Sequence, residues 1–393
     1  MTTIRSAVCV RCPPRWLLLR VETDDGQIGW GEAIGDLHEE VEKALNAIGE
    51  RVEGSSIHDI TRTIETQRKT RFWRDGPVLD TAISALEMAL WDLKGKELGA
   101  PIHDLLGGRV RERVRVYRNL WGRNPEEFAN SAREAISQSM TAVKVSPAGP
   151  TPDVVSRAAL SDMVDIVRAV REAVGPNTDL AIDMHGRLTP AASRRAIHAL
   201  APMDPYFIEE PCLPDGSALH IADLRALRTA QPVAIATGER LRSAHAFAQH
   251  LLPSPVVDII QPDVSMVGGI RASVEIGAMA SAAQVAMAPH CPYGPIQFAA
   301  SMQIAATSPA HLIQEFQSLG GAGSGGGTPG GGQHWAFELI AQPFIIEGGH
   351  VDVRNTPGLG IQVLEERIEE HMDMWNPHPP SVWTHTDGSH AEW

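Results

Sequence analysis

The sequence predicts an α/β protein in which an eight-stranded (β/α) barrel follows an N-terminal α+β region. After residue 110, eight short β-rich runs recur with helical segments between them, an alternation that is typical of a parallel barrel. Before residue 110 the order differs, because strand-like runs come first and helical segments follow. A doubly wound sheet fits less well, since the G-x-G-x-x-G matches fall in a Gly-rich tract near the end and not after a first strand.

The N-terminal region begins with strand-like sequence. Residues 7–34 contain VCVRC and WLLLRVETDDGQIGWGEA, in which DDG marks a turn, so a small antiparallel sheet is predicted. Residues 37–99 then show helical periodicity, which the sequence GAP brings to an end. We therefore expect residues 1–112 to form an α+β capping domain, completed by part of the C-terminal segment 340–393.

The eight β-rich runs define the barrel expected at residues 113–339. The runs are VRVYRNL (114–120), TAVKVS (141–146), LAIDMH (180–185), YFIEE (206–210), VAIATGE (233–239), VDIIQPD (257–263), VAMAPH (285–290) and HLIQEF (311–316). The tract GGAGSGGGTPGGG at 320–332 has nine glycines among thirteen residues and cannot pack a core, so we expect a loop there.

Composition and charge exclude several classes of function. Lys and Arg number 34 against 48 Asp and Glu, and the formal net charge of −14 would repel a phosphate backbone. No run of about 20 apolar residues is present, and the first residues lack the apolar stretch of a signal peptide. The pair Cys9 and Cys12 has no second half nearby, so no zinc site is predicted, and four thiols in all fit a reducing compartment. We therefore expect a cytoplasmic protein with no nucleic-acid and no membrane partner.

Polar residues end six of the barrel runs. These residues are Asp183, His185, Glu209, Glu239, Asp263, His290 and Glu315. From Asp183 to Glu315 the successive intervals, leaving His185 aside, are 26, 30, 24, 27 and 25 residues, each about one βα unit. An isolated acid after a strand is as often a helix cap, but six positions in register are typical of the catalytic end of a barrel.

Three of these carboxylates belong to neighbouring strands. Asp183, Glu209 and Glu239 would converge at the barrel mouth, where unneutralised like charges are costly. An all-oxygen donor set without thiols predicts Mg²⁺, with Mn²⁺ as the alternative, and open coordination positions suit Lewis-acid catalysis. A purely structural metal site is the other interpretation.

Two histidines are predicted to face one another across this metal. Strands three and seven are opposite in an eight-stranded barrel, so His185 and His290 would lie on either side of a bound ligand. One imidazole could then remove a proton while the other donates one. Asp263, on the strand beside His290, could hold that imidazole in one tautomer and raise its basicity.

At these residues the sequence resembles the mandelate racemase branch of the enolase superfamily, and within it the galactonate dehydratase-like group. The resemblance spans nearly the whole chain. Its motifs are PRW (14–16), IGWGE (28–32), FWRDGP (72–77), ALWDLKGK (89–96), IDMHGR (182–187), FIEEP (207–211), GER (238–240), QPDVS (261–265), APHCPYGP (288–295), PGLG (357–360) and the closing AEW.

The resemblance implies a capping domain over a modified (β/α)8 barrel, (β/α)7β, with Mg²⁺ bound by the three carboxylates. It also implies that His290 takes the proton at C2 of a sugar acid, that Glu315 hydrogen-bonds the resulting enediolate, and that His185 protonates the departing 3-hydroxyl. Ketonisation would then yield a 2-keto-3-deoxy acid. The expected partner is an anionic sugar acid, and the family is often found as a homo-oligomer, commonly an octamer.

The sequence departs from relatives that use a lysine base. The second run carries Lys144 but Ser146, so the K-x-K pair is incomplete, which favours elimination driven by histidine. Substrate contacts are predicted for Lys144, Arg187 and Arg74, although a salt-bridged lysine and a structural role for Arg187 fit equally well. Two other functions stay open: a sugar-acid epimerase or cycloisomerase that uses the same enediolate, and a non-catalytic sugar-acid-binding regulator.

Overall fold

The structure is a computed structural model that describes residues 2–213, 218–230, 232–316, 338–377 and 382–392. The predicted Gly-rich loop at 320–332 therefore lies outside the described residues. No helix in the described part of the chain is long and apolar enough to cross a membrane.

An antiparallel sheet opens the chain, as predicted. Its strands, in order along the sheet, are β1 (Ile4–Cys12), β2 (Trp16–Thr23) and β3 (Ile28–Ala33). The predicted DDG turn joins the second and third strands, and its glycine, Gly26, has a positive φ of 86°, which glycine adopts without steric cost. Four helices follow: α1 (His38–Val52), α2 (Ile60–Lys69), α3 (Pro77–Leu98) and the short α4 (Ile102–Leu105).

A parallel sheet closes into a barrel, and each of its eight strands overlaps one of the eight predicted runs. The strands are β4 (Arg113–Asn119), β5 (Ala142–Val145), β6 (Asp179–Asp183), β7 (Phe207–Glu209), β8 (Ile235–Thr237), β9 (Ile259–Ile260), β10 (Ala286–Met287) and β11 (Gln314–Phe316). Neighbours pair in the order β10-β9-β8-β7-β6-β5-β4-β11. A parallel bridge between Met287 and His311 joins the two ends, so the sheet is closed.

Each barrel strand from β4 to β10 is followed by a helix. The helices are α5 (Pro125–Ser137), α6 (Arg157–Val174), α7 (Pro190–Leu200), α8 (Ala218–Ala230), α9 (Ala244–Leu251), α10 (Ile270–Ala282) and α11 (Pro295–Thr307). Seven strand–helix units thus precede β11, which confirms the predicted (β/α)7β barrel behind a small antiparallel sheet.

The C-terminal part of the chain returns to the barrel. The strand β12 (His350–Asp352) pairs antiparallel with β4 and is followed by α12 (Glu365–Glu370). A two-stranded hairpin, β13 (Trp383–Thr384) and β14 (His390–Ala391), comes last. The domain boundaries at residues 112 and 339 stay predictions.

Side chains from the N-terminal region complete two barrel helices. The helices α5, α6, α7 and α9 are capped by their own Asn, Ser or Thr side chains, whereas α10 and α11 begin after Gly269 and Gly294, which have none. Glu87 of α3 accepts hydrogen bonds from the backbone amides of Ile270 (2.7 Å) and Arg271 (3.0 Å). A carboxylate at a helix N-terminus satisfies free amides and is favoured by the helix dipole.

Replacing Glu87 with glutamine is expected to change how stability depends on pH. Burial raises the pKa of Glu87 to about 7, despite the amides that favour its charged form. The unfolded chain loses this proton near its ordinary pKa of 4.5, so the contribution is complete below that pH and is lost as the pH rises through 7. The loss amounts to about 3 kcal/mol. Denaturant unfolding of Glu87→Gln should therefore show a flatter pH dependence between 4.5 and 7.5 than the parent protein.

Glu50, an exposed glutamate of α1, provides the control. Glu50→Gln should keep the slope of the parent protein. Equal slopes for the parent and Glu87→Gln would contradict the assignment of a raised pKa to Glu87.

Candidate active site

The alternation of side chains along the strands builds the site. A layer of mostly apolar residues, including Tyr117, Ala142, Ala181 and Phe207, packs inside the barrel. Because strand side chains repeat their direction every second residue, the next inward position on each strand lies one layer closer to the carboxyl end. Those positions are Asn119, Lys144, Asp183 and Glu209, with Glu315 on β11 and His290 after β10. The site therefore lies at the end of the barrel where the sequence analysis places it.

The three predicted metal ligands come together. Asp183 and Glu209 are register partners on β6 and β7. One carboxylate oxygen from each of Asp183, Glu209 and Glu239 lies within 4.8 Å of the other two. Burial, together with the negative charge of Asp183, raises the pKa of Glu209 to about 8 and that of Glu239 to about 7. A donor set of three carboxylates whose charges repel one another fits a hard divalent cation such as Mg²⁺.

Lys144 lies inside this carboxylate cluster. Its Nζ is 2.8 Å from Glu209 Oε1, 3.2 Å from Glu315 Oε1 and 3.5 Å from Asp183 Oδ2. Burial alone would lower the pKa of Lys144, but Glu209 and Glu315 outweigh burial and raise it well above its usual value. Lys144 is thus a salt-bridged lysine, and its predicted contact with substrate stays a prediction.

His290 is held by two carboxylates. Its Nδ1 lies 2.7 Å from Asp263 Oδ2, and its Nε2 lies 3.4 Å from Glu239 Oε2. Burial favours the neutral imidazole, but Glu239 and Asp263 raise the pKa of His290 to about 10. The contact with Asp263 assigns the Nδ1 proton to that hydrogen bond and directs Nε2 toward the carboxylate cluster.

His185 reaches the cluster from the opposite strand. Its Nε2 lies 3.3 Å from Asp183 Oδ2, and its backbone amide donates to Asp183 Oδ1 at 2.7 Å. The residue has a positive φ of 52°, a backbone conformation that is uncommon for non-glycine residues and is found often at functional sites. Burial lowers the pKa of His185 to about 4, although Asp183 acts in the other direction. The pKa values of the two imidazoles are therefore shifted in opposite directions.

Glu315 is fixed by one partner at the end of β4 and another in the loop after β10. Its Oε1 accepts from Asn119 Nδ2 at 2.7 Å, and its Oε2 accepts from the Cys291 amide at 2.6 Å. Asn119 was not among the predicted site residues. Asn119 is the last residue of β4, just as other site residues lie at the ends of their strands. A search for polar residues at the end of the first run would therefore have identified it.

The predicted substrate-binding arginines lie in different places. Arg187 donates to the Ala148 carbonyl at 2.6 Å, and its guanidinium lies 4.4 Å from the centre of the Trp383 ring. Arg74 is exposed in the segment before α3, where its Nε donates to the Arg71 carbonyl. The structure shows no contact between Arg74 and the described site residues, and the substrate contacts of both arginines stay predictions.

Comparison with known families covers almost the whole chain. Residues 127–367, more than half of the chain, match the family described as enolase C-terminal domain-like. Residues 3–107 match the N-terminal domain of mandelate racemase and muconate lactonizing enzyme. The chain belongs to the mandelate racemase and muconate lactonizing enzyme family. This membership confirms the resemblance and the fold class predicted from the sequence.

Relatives within the mandelate racemase and muconate lactonizing enzyme family include dehydratases. The chain is 36% identical to a D-galactonate dehydratase of Variovorax paradoxus, with 98% of each chain covered. It is 35% identical to a D-gluconate dehydratase of Thermoproteus tenax, over 91% of this chain and 70% of the relative. The solved structure of an enolase from Agrobacterium radiobacter with bound Na and L-malate superposes with a TM-score of 0.86 at 28% identity, covering 99% and 98% of the two chains. These relatives confirm the prediction of a dehydratase-like enzyme, a hydro-lyase by class.

Proposed function

We propose that the protein dehydrates a sugar acid, with galactonate as the first substrate to test, to a 2-keto-3-deoxy acid. The observation that carries this proposal is the placement of His185 and His290 on opposite sides of the three-carboxylate cluster, with His290 held by Asp263. A base on one side and an acid on the other are what an elimination of water requires.

The first step falls to His290. Its Nε2 would take the proton from C2 of the substrate, while the Nδ1 hydrogen bond to Asp263 stabilises the imidazolium that forms. Glu239 raises the pKa of His290. Neutralisation of the Glu239 charge would therefore lower this pKa toward the working pH, where an imidazole is an effective base. Glu315, held by Asn119 and Cys291, would hydrogen-bond the substrate carboxylate as it gains charge.

The second step falls to His185. The electron pair left at C2 would form a C2–C3 double bond as the C3–O bond breaks, and His185 would give its proton to the departing hydroxyl, which leaves as water. The resulting enol would take a proton at C3 and lose the proton of its C2 hydroxyl, which gives the 2-keto-3-deoxy acid. His185 must regain a proton before the next turnover, and the negative charge of an incoming carboxylate would raise its pKa for that purpose.

Asp183, Glu209 and Glu239 would hold Mg²⁺, or Mn²⁺ in its place. When bound, the cation supplies the positive charge that stabilises the enediolate form of a carboxylate, whose C2 proton is otherwise too weakly acidic for imidazole. Lys144 would remain a fixed countercharge to Glu209 and Glu315.

The substrate class is supported by the names of the curated relatives. One group is called D-galactonate dehydratase and another D-gluconate dehydratase, and both names denote removal of water from an aldonic acid. A homo-oligomeric state, predicted from the family resemblance, remains part of this proposal.

The test is incubation of the protein and Mg²⁺ with aldonic and aldaric acids in deuterated water. We expect a 2-keto product from galactonate or from a stereoisomer of it. Exchange at C2 without loss of water would overturn the dehydratase assignment in favour of an epimerase or cycloisomerase. Tight binding with neither exchange nor product would overturn it in favour of a sugar-acid-binding regulator.

A further inference from the structure

Gln297, in the first turn of α11, is fully buried and uses both ends of its side-chain amide. Its Nε2 donates to Asp263 Oδ1 at 2.8 Å, and its Oε1 accepts from the backbone amide of Tyr293 at 3.0 Å. The Gln297 side chain therefore joins two segments, one that carries Asp263 and one that follows His290.

The hydrogen bond to Asp263 fixes the orientation of its carboxylate. Oδ1 accepts both from Gln297 and from the Ser265 amide, at 2.8 and 2.7 Å. This leaves Oδ2 to accept from His290 Nδ1, at 2.7 Å. A carboxylate with two donors on one oxygen resists rotation. The direction of its other oxygen is therefore fixed, and this oxygen in turn fixes the orientation of the imidazole.

The hydrogen bond to Tyr293 acts on the other side of the same imidazole. The rings of Tyr293 and His290 meet edge to face, with centroids 6.4 Å apart and an interplanar angle of 87°. Gln297 holds the backbone of Tyr293, so it also limits where this ring can lie. The imidazole of His290 is thus bounded by two groups that are both attached to Gln297.

The backbone of Gln297 is anchored from the N-terminal region. Glu32 of β3 accepts from the amide of Gln297 at 2.8 Å and from the amide of Gly294 at 2.5 Å. A Cβ atom at Gly294 would lie 2.6 Å from Glu32 Oε1 and 3.0 Å from the Trp16 ring, so the close approach requires glycine. The first turn of α11 is therefore held in one place.

We propose that Gln297 is a positioning residue for the base of the reaction, acting on His290 through Asp263. This inference rests on the proposed function, in which His290 removes the C2 proton. By holding the Asp263 carboxylate, Gln297 keeps Nε2 of His290 aimed at the position of the substrate.

Replacement of Gln297 by methionine keeps the size of the side chain and removes both hydrogen bonds. We expect the rate of C2 proton exchange at saturating substrate to fall about 10- to 100-fold, as with other residues that orient a catalytic group, while KM changes little. Gln303→Met is the matched control, because Gln303 lies on the same helix, is equally buried and also bonds at both ends, to His103 and Leu359. That variant should lose comparable thermal stability and keep the parent rate.

A double-substitution cycle separates positioning from a general loss of packing. In the Asp263→Asn background, Gln297→Met should lower the exchange rate less than about twofold further, because its effect passes through Asp263. If Gln297→Met does not fold, Gln297→Asn, which is too short to reach Asp263, replaces it in both measurements. An unchanged rate in the folded variant, or full additivity in the cycle, would overturn the proposal.

A second readout does not depend on turnover. In protein labelled with ¹⁵N-histidine, the Nδ1 proton of His290 is identified by its loss in His290→Asn. We expect its resonance to shift in Gln297→Met and to stay in place in Gln303→Met, and an unmoved resonance in Gln297→Met would also overturn the proposal. If the parent protein exchanges no sugar acid at C2, the proposed function fails, and this resonance still shows whether Gln297 sets the imidazole.

Discussion

Replacing His290 with asparagine is expected to lower the rate of C2 proton exchange by about 10³- to 10⁴-fold, the usual contribution of a general base. An asparagine amide can still donate to Asp263, but it has no basic nitrogen in place of Nε2. His290 is not one of the three carboxylate ligands, so Mg²⁺ affinity should stay nearly unchanged. Exchange in deuterated water, followed by NMR, measures the first quantity, and titration calorimetry measures the second.

Two further variants make the His290 experiment specific. His250 is a buried histidine on α9, outside the site. The His250→Asn variant should exchange the C2 proton at the parent rate. His185→Asn should keep C2 exchange but release less water, because its proposed role comes after proton removal. Persistent exchange in His290→Asn would mean that another group is the base.

Replacing Asp183 with asparagine is expected to lower Mg²⁺ affinity by at least about 100-fold and to remove measurable dehydration. The substitution takes away one of three converging charges while leaving an oxygen that can accept from the His185 amide. Calorimetric titration with Mg²⁺ measures the affinity, and product formation from the best sugar acid measures the activity.

Asp179 gives the control for this experiment, because it begins the same strand at the other end of the barrel. It pairs there with Arg115 at 2.7 Å, and Asp179→Asn should leave Mg²⁺ affinity unchanged. If Asp183→Asn binds Mg²⁺ as tightly as the parent protein, the cation is held elsewhere.

The barrel could be predicted from the sequence because each βα unit repeats the same local pattern. Every predicted run overlaps a strand, but most of the strands are shorter than the runs; β9, for example, spans only Ile259–Ile260 of the run 257–263. The polar residues at the ends of the runs lie in or just after the last paired residues of the strands, and their side chains point into the site. The pattern of the runs therefore predicts the residues at the strand ends better than it predicts the lengths of the strands.

Contacts between distant segments could not be predicted in this way. The carboxylates at strand ends share a register that the spacing reveals, whereas Gln297 lies on a helix and reaches Asp263 only through packing in three dimensions. Glu32 lies 265 positions before Gln297, whose backbone amide donates to it, and the sequence around Glu32 gives no indication of that partner. Whether Lys144 meets substrate or carboxylates likewise depended on the direction of one long side chain.

The glycines at the starts of α10 and α11 tie the barrel of this chain to its N-terminal region. Both helices rely on acids of the N-terminal region, Glu87 and Glu32, for donors that their own sequences leave unsatisfied. A barrel given a foreign N-terminal region without those two acids would leave amides unpaired at the starts of both helices. Any replacement of the N-terminal region of this chain would therefore have to keep Glu32 and Glu87 opposite the glycines that they face.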